Sequence, residues 1–195
     1  MDFTVSGDEC YVNDTSVTSS NVSCGSESEP CKYLDSCLGE KKWFKKVIIS
    51  GRHALNEEIV THGSVSIIGR DNATITSLTP NNPSLVFLGS PSVEMQIQMQ
   101  NVRMEGISVL ILGVQNVSLE SCVFQSARLK ISHANISNID NCTFQQNVLK
   151  DEREGGVMRV SSVITSIIEN SLFKGKIETN IFGSKDTLVH VPKDT

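Results

Sequence analysis

The chain has 195 residues and a formal net charge of −5, with both signs spread along its length. That length suits one domain around a continuous core, and the charge offers no polycationic face to a phosphate backbone, so nucleic acid is excluded as an expected partner. Ser, Thr, Asn, Val and Ile are abundant while alanine stands only at Ala54, Ala73, Ala127 and Ala134, a composition of strands and turns that argues against a helical protein.

The first forty residues hold Cys10, Cys24, Cys31 and Cys37. Cysteines this dense suit disulfides stapling an irregular segment. The last three have six and five residues between them and no histidine pair beside them, which does not suit zinc. Sequons at Asn13, Asn21, Asn72, Asn116, Asn135 and Asn141 agree with an extracellular chain. The opening MDFTVSGDEC has no charged and apolar leader, so any signal peptide is expected to have been removed or never to have belonged to this chain. No run of about 18 apolar residues offers a membrane span. KKWFKK (41 to 46) then places Lys41, Lys42, Lys45 and Lys46 around Trp43 and Phe44. Charge with ring stacking suits an acidic glycan or an anionic surface; the plainer alternative is aromatics anchored to the fold with the lysines left in water.

From residue 46 the chain repeats. KVIISG (46 to 51), SVSIIG (64 to 69), SLVFLG (84 to 89) and SVLILG (108 to 113) read as one column of strands closed by glycine, continued by RLKISH (128 to 133). A second register is formed by IQMQNVRM (97 to 104), VSLESCVF (117 to 124), SNIDNCTF (137 to 144) and SIIENSLF (166 to 173), offset by 20, 20 and 29. It keeps Met99, Leu119, Ile139 and Ile168 in one position, and Met104, Phe124, Phe144 and Phe173 in another. Apolar columns at a coil period are what a solenoid needs, because each rung buries its inward side chains only against the rungs above and below. VEMQIQMQ (93 to 100) alternates strictly, as a strand does, and the leucine ladder and helical arm of a leucine-rich repeat are missing. The expected fold is therefore all-β, a parallel β-helix over 46–195 preceded by a cysteine-rich segment and cap over 1–45. TLVHVPKDT (187 to 195) reads as a further strand, so the solenoid is expected to be truncated there, with more coils or domains beyond.

With that period, and with CGSESEPCKYLDSCL (24 to 38) leading into KVIISGRHALNEE, the whole chain resembles right-handed parallel β-helices of the pectin lyase-like kind. The resemblance implies about seven coils of three strands, and a disulfide-containing cap whose short helix presents Tyr33, Leu34, Cys37 and Leu38 inward. It also implies a tight turn between second and third strands, occupied here by Asn101, Ser121, Asn141 and Asn170 as a ladder; Asn tolerates the left-handed backbone such a turn demands. Family enzymes work on the outer face of the first strand. The outward positions expected there, Ser66/Ile68, Val86/Leu88, Leu110/Leu112 and Lys130/Ser132, hold no aspartate cluster. Ile68, Val86, Leu88, Leu110 and Leu112 form instead an apolar stripe, which on a soluble protein is expected to be covered by the N-terminal segment 1–40, by a long loop folding back, or by a partner protein.

Four further features carry candidate chemistry. Glu120, Asp140 and Glu169 precede the ladder and stack on one outer edge, where they suit calcium or paired-acid chemistry on a glycoside, against the plainer reading of solvated turns. Cys122 and Cys142 share an inward column at a rung spacing that leaves both a disulfide and stacked thiols open. The loop QNVLKDEREGG (146 to 156), with Lys150, Asp151, Glu152 and Arg153, is of the kind that carries specificity on a rigid scaffold. Asn141, with its amide occupied by the ladder, is expected to stay unmodified while the other sequons, Asn72 and Asn116 above all, accept glycan. The expected function is a non-catalytic extracellular module for adhesion or recognition of a glycan or protein, with no cofactor or resident metal. The alternative is a polysaccharide lyase or hydrolase acting through Glu120, Asp140 and Glu169.

Overall fold

The computed structural model describes residues 5–16, 24–39, 42–77, 84–89, 94–145, 158–174 and 186–189. They form an all-β structure whose only helical element is a single 3₁₀ turn, Leu34–Ser36. In chain order the strands are β1 (Val5–Asn13), β2 (Lys42–Leu55), β3 (Ile59–Thr61), β4 (Val65–Ser77), β5 (Ser84–Leu88) and β6 (Gln96–Gln100). There follow β7 (Arg103–Glu105), β8 (Ser108–Leu112), β9 (Asn116–Glu120), β10 (Val123–Gln125), β11 (Arg128–Ser132) and β12 (Ile136–Asp140). The last are β13 (Thr143–Gln145), β14 (Met158–Ser161), β15 (Thr165–Glu169), β16 (Leu172–Lys174) and β17 (Asp186–Val189).

All strand pairs are parallel and join elements one repeat apart, a stacking compatible with a β-helix solenoid. One sheet has five strands in the order β14-β11-β8-β5-β3. The other has twelve, in which β6-β9-β12-β15 and β7-β10-β13-β16 run out from the two halves of the long strand β4, with β2 and β1 beyond it. The second register of the sequence is reproduced residue for residue: Met99, Leu119, Ile139 and Ile168 are hydrogen-bonded neighbours in line, as are Met104, Phe124, Phe144 and Phe173. Every residue of these two columns except Phe173 is 0% or 1% exposed, and Phe173 packs against the core from its edge. Three phenylalanine rings stack inside, with centroids 4.9 Å apart for Phe124 and Phe144 and 4.8 Å apart for Phe144 and Phe173. His53 continues this column beyond Ile75; it is buried, and its Nε2–H donates to the Ser50 carbonyl at 2.9 Å.

The corners make the coil possible. Asn101, Ser121, Asn141 and Asn170 all adopt left-handed backbone, with φ of 56°, 53°, 50° and 49°, as the ladder required. The other corners use the same device at Gly106 and Ser126 and at Gly113, His133 and Ser162. Where the next coil follows, the corner N–H donates to it: Asn101 to Glu120 O at 3.1 Å, Ser126 to Gln145 O at 2.8 Å and His133 to Ser161 O at 3.1 Å. Turns that would leave orphan donors inside a stack are thus satisfied rung to rung.

Several expectations are corrected. The glycine-closed strands are not one column: Val47 and Ile67 lie in the twelve-stranded sheet beside Met99, whereas Leu85, Val109 and Leu129 lie in the five-stranded one. The reason is that glycine serves two different corners. A β-carbon on Gly69 would run into the Asn101 carbonyl oxygen, and one on Gly89 into the Gly113 carbonyl oxygen. Strand β1 is a full rung paired with β2, although the first forty residues read as irregular. The cap helix shrinks to one 3₁₀ turn. Leu34, Cys37 and Leu38 do point inward, but Tyr33, which caps the turn in extended backbone, is 45% exposed.

Candidate functional site

The outer face of β6, β9 and β12 is built by the alternation of those strands. Ile97, Met99, Val117, Leu119 and Ile139 are turned into the core, which sends Gln98, Ser118 and Asn138 outward in hydrogen-bonded register, with Ser66 of β4 beside Gln98. The Ser66 hydroxyl donates to Gln98 Oε1 at 3.3 Å. Gln96 and Asn116 extend the array on one side and Gln100 on the other. The result is a flat grid of neutral donors and acceptors at rung spacing, about 4.8 Å, on a scaffold whose backbone is fixed by parallel pairing.

Glu120, Asp140 and Glu169 are brought together at the edge of this face, on successive rungs and in register. Asp140 Oδ1 accepts from Asn170 Nδ2 at 2.9 Å, and Asn141 Nδ2 donates to Ser121 Oγ at 3.0 Å. The ladder is therefore an exposed one. Asn141 does engage its amide, but with a serine hydroxyl on the rung before it, while Asn170 turns to a carboxylate. A second polar chain escaped the sequence reading. Ser161 Oγ donates to Ser132 Oγ at 3.0 Å, and Ser132 Oγ lies 2.9 Å from His133 Nδ1. Among the described residues no carboxylate is hydrogen-bonded to that imidazole.

Lys45 and Lys46 bind acids of the neighbouring rung. The Lys45 ammonium lies 2.7 Å from Asp8 and that of Lys46 2.7 Å from Glu9, and each bond holds the carboxyl below its usual range. Lys41 and the loop residues Lys150, Asp151, Glu152 and Arg153 lie outside the described residues, as does Asn21. Of the apolar stripe, Val86 and Leu110 are partners across the five-stranded sheet, as are Leu88 and Leu112, but Ile68 lies on the other sheet between Ile48 and Gln100. The remaining sequon asparagines stand at rung ends and corners: Asn13 closes β1, Asn72 has a φ of 62°, Asn116 opens β9 and Asn135 is exposed beside the His133 corner.

Four cysteines form two disulfides, Cys10–Cys37 and Cys24–Cys31. Cys10, Cys31 and Cys37 place their sulfurs within 4.8 Å of one another, but all three are spent in those bonds and leave no thiolate for a metal.

No family model, curated protein or solved structure matches the chain.

Among the described residues no helix is long and apolar enough to cross a membrane. Cys122 and Cys142 are free buried thiols, so of the two states the sequence left open the structure has the reduced one. Each donates weakly to carbonyls, Cys122 to Glu120 O at 3.4 Å and Cys142 to Asp140 O at 3.3 Å. The hydrogen bond with Cys122, and then burial, push the Cys142 thiol far above the ordinary 9.0, so it is no nucleophile near neutrality. Linkage gives this a sign. Below about pH 9 both folded and unfolded chains keep that proton; above it only the unfolded chain loses it, so stability falls as pH rises. The melting temperature is expected to drop more steeply between about pH 8 and 10.5 in the parent chain than in a Cys142→Ala variant. Parallel curves would show that Cys142 does not hold its proton. A thiol reagent should find two groups after denaturation and none before it.

Proposed function

We propose that the chain is a right-handed parallel β-helix of about seven coils, extracellular and related in design to pectin lyase-like proteins, that recognises a glycan or protein and does no chemistry on it. The observation that carries this reading is the grid of Ser66, Gln98, Ser118 and Asn138, held in line by strand pairing. Neutral amides and hydroxyls at fixed spacing match the alternating donors and acceptors of a sugar chain or an extended backbone, and they contain no acid–base pair. The two disulfides fit an oxidising compartment. Fold alone does not separate binding from catalysis on such scaffolds, so the argument rests on the face.

The purified chain on a glycan array should bind a limited set of glycans. Gln98→Ala/Asn138→Ala should weaken that binding at least about tenfold with the melting curve unchanged, since two solvent-facing hydrogen-bonding groups are lost and no core packing is. Cleavage of polygalacturonate by the chain in the presence of calcium would overturn the reading. The lyase or hydrolase alternative has one observation in its favour, the register of Glu120, Asp140 and Glu169, and it requires Asp140→Ala to abolish turnover with the fold intact.

A further inference from the structure

A cavity of about 310 Å³ opens where the cap meets the end of β2, at the lower limit for small-ligand sites. Its floor is apolar, made by the buried side chains of Leu34, Leu55 and Ile59. Its walls are Tyr33, a large aromatic that the cap leaves exposed, and the exposed carboxylates Asp35, Glu57 and Glu58. No basic residue lines it, and no described ion pair involves any of the three acids. The Tyr33 ring already attracts a cation from its own chain: Lys32 Nζ lies 5.7 Å from the ring centroid.

We propose that this cavity takes a guanidinium group on a short aliphatic stem, the chemistry of an arginine side chain. The stem covers Leu55 and Ile59, the planar cation lies against Tyr33, and its N–H groups reach the carboxylates of Asp35, Glu57 and Glu58. A flat, weakly hydrated cation gains from both the ring and the forked acceptors, whereas an ammonium ion gains less from each. A neutral sugar brings no charge to balance the three carboxylates, which separates this site from the polar face of β6, β9 and β12. The inference goes beyond the recognition reading and stands without it, so a failure of glycan binding would leave it intact.

The test is an NMR titration of the whole chain with N-acetyl-arginine amide and with N-acetyl-citrulline amide, which has the same shape and no charge. Saturable shifts at Tyr33, Glu57 and Glu58 are expected for the arginine compound, with the citrulline compound at least about tenfold weaker. Glu57→Gln/Glu58→Gln should lose binding by a similar factor. Both side chains are exposed, so this variant reports on the ligand even if Tyr33→Leu disturbs the cap. A pentapeptide with arginine between Gly and Ser residues distinguishes the sources: tighter binding than the amide means a polypeptide partner, and weaker binding means a free small molecule. Equal binding of arginine and citrulline, or no saturation by about 100 mM, overturns the proposal.

Discussion

Phe144→Ala is expected to cost about 3–5 kcal/mol, the range for truncating a fully buried aromatic ring. Phe144 is 0% exposed and is the middle ring of three, so its loss empties a cavity and removes a stacking neighbour from both Phe124 and Phe173. In a stack of coils, stability is close to a sum over neighbouring rungs, and this variant weakens two interfaces at once. Denaturation followed by circular dichroism should therefore show an early transition for the coils after β13, then a later one for those before it. Phe144→Leu keeps most of the volume and should cost far less. A loss under about 1 kcal/mol for the alanine variant would mean that the rings do not form the core.

The second large effect belongs to the cap. Cys10→Ser/Cys37→Ser opens a crosslink spanning 27 residues, worth about 3–4 kcal/mol of loop-closure entropy, whereas Cys24→Ser/Cys31→Ser opens one spanning 7, worth about 2 kcal/mol. The longer crosslink joins β1 to the residue after the 3₁₀ turn, so its loss frees a whole outer rung from β2. The first variant should melt lower than the second, and the amides of β1 should lose hydrogen-exchange protection before those of β4. Both are paired replacements, because one unpaired sulfur beside Cys31 would attack the remaining disulfide. Equal losses would mean that closure entropy does not set the order.

How far the sequence revealed this depends on the kind of residue at each place. The columns through Leu119 and Phe124 were legible because an inward side chain must be apolar at every rung, so the period survives every other change. The corners at Asn101, Asn141 and Asn170 were legible because Asn is one of the few residues that accept a left-handed backbone. The corners at Ser126, His133 and Ser162 were not, since nothing about serine or histidine announces a positive φ; Ser126 and His133 are held there by hydrogen bonds from their own N–H groups to the next coil. The split of the glycine-closed strands was hidden for a related reason: glycine marks a close approach but not which chain approaches. Tyr33 was misplaced because an aromatic near a cap reads as buried, while the turn that exposes it is too short to show a period. Of the polar grid, Gln98 was visible in the alternation of VEMQIQMQ, but its alignment with Ser66, Ser118 and Asn138 over four rungs depended on pairing between strands far apart in sequence.

The three corners of the coil do not share its changes of length. At the ladder corner the chain always turns in two residues, Asn101–Val102, Ser121–Cys122, Asn141–Cys142 and Asn170–Ser171. The nine extra residues between Phe144 and Phe173, relative to the twenty between Phe124 and Phe144, all fall between β13 and β14, and the pairing resumes in step. The molecule thus has a keel and a deck. One edge is held to a fixed pitch, and the opposite side can lengthen or shorten its loops without any strand changing partners. Inserting a tag or a foreign epitope between β13 and β14 should leave every register intact, whereas a single residue added after Asn141 would turn the inward face of β13 outward.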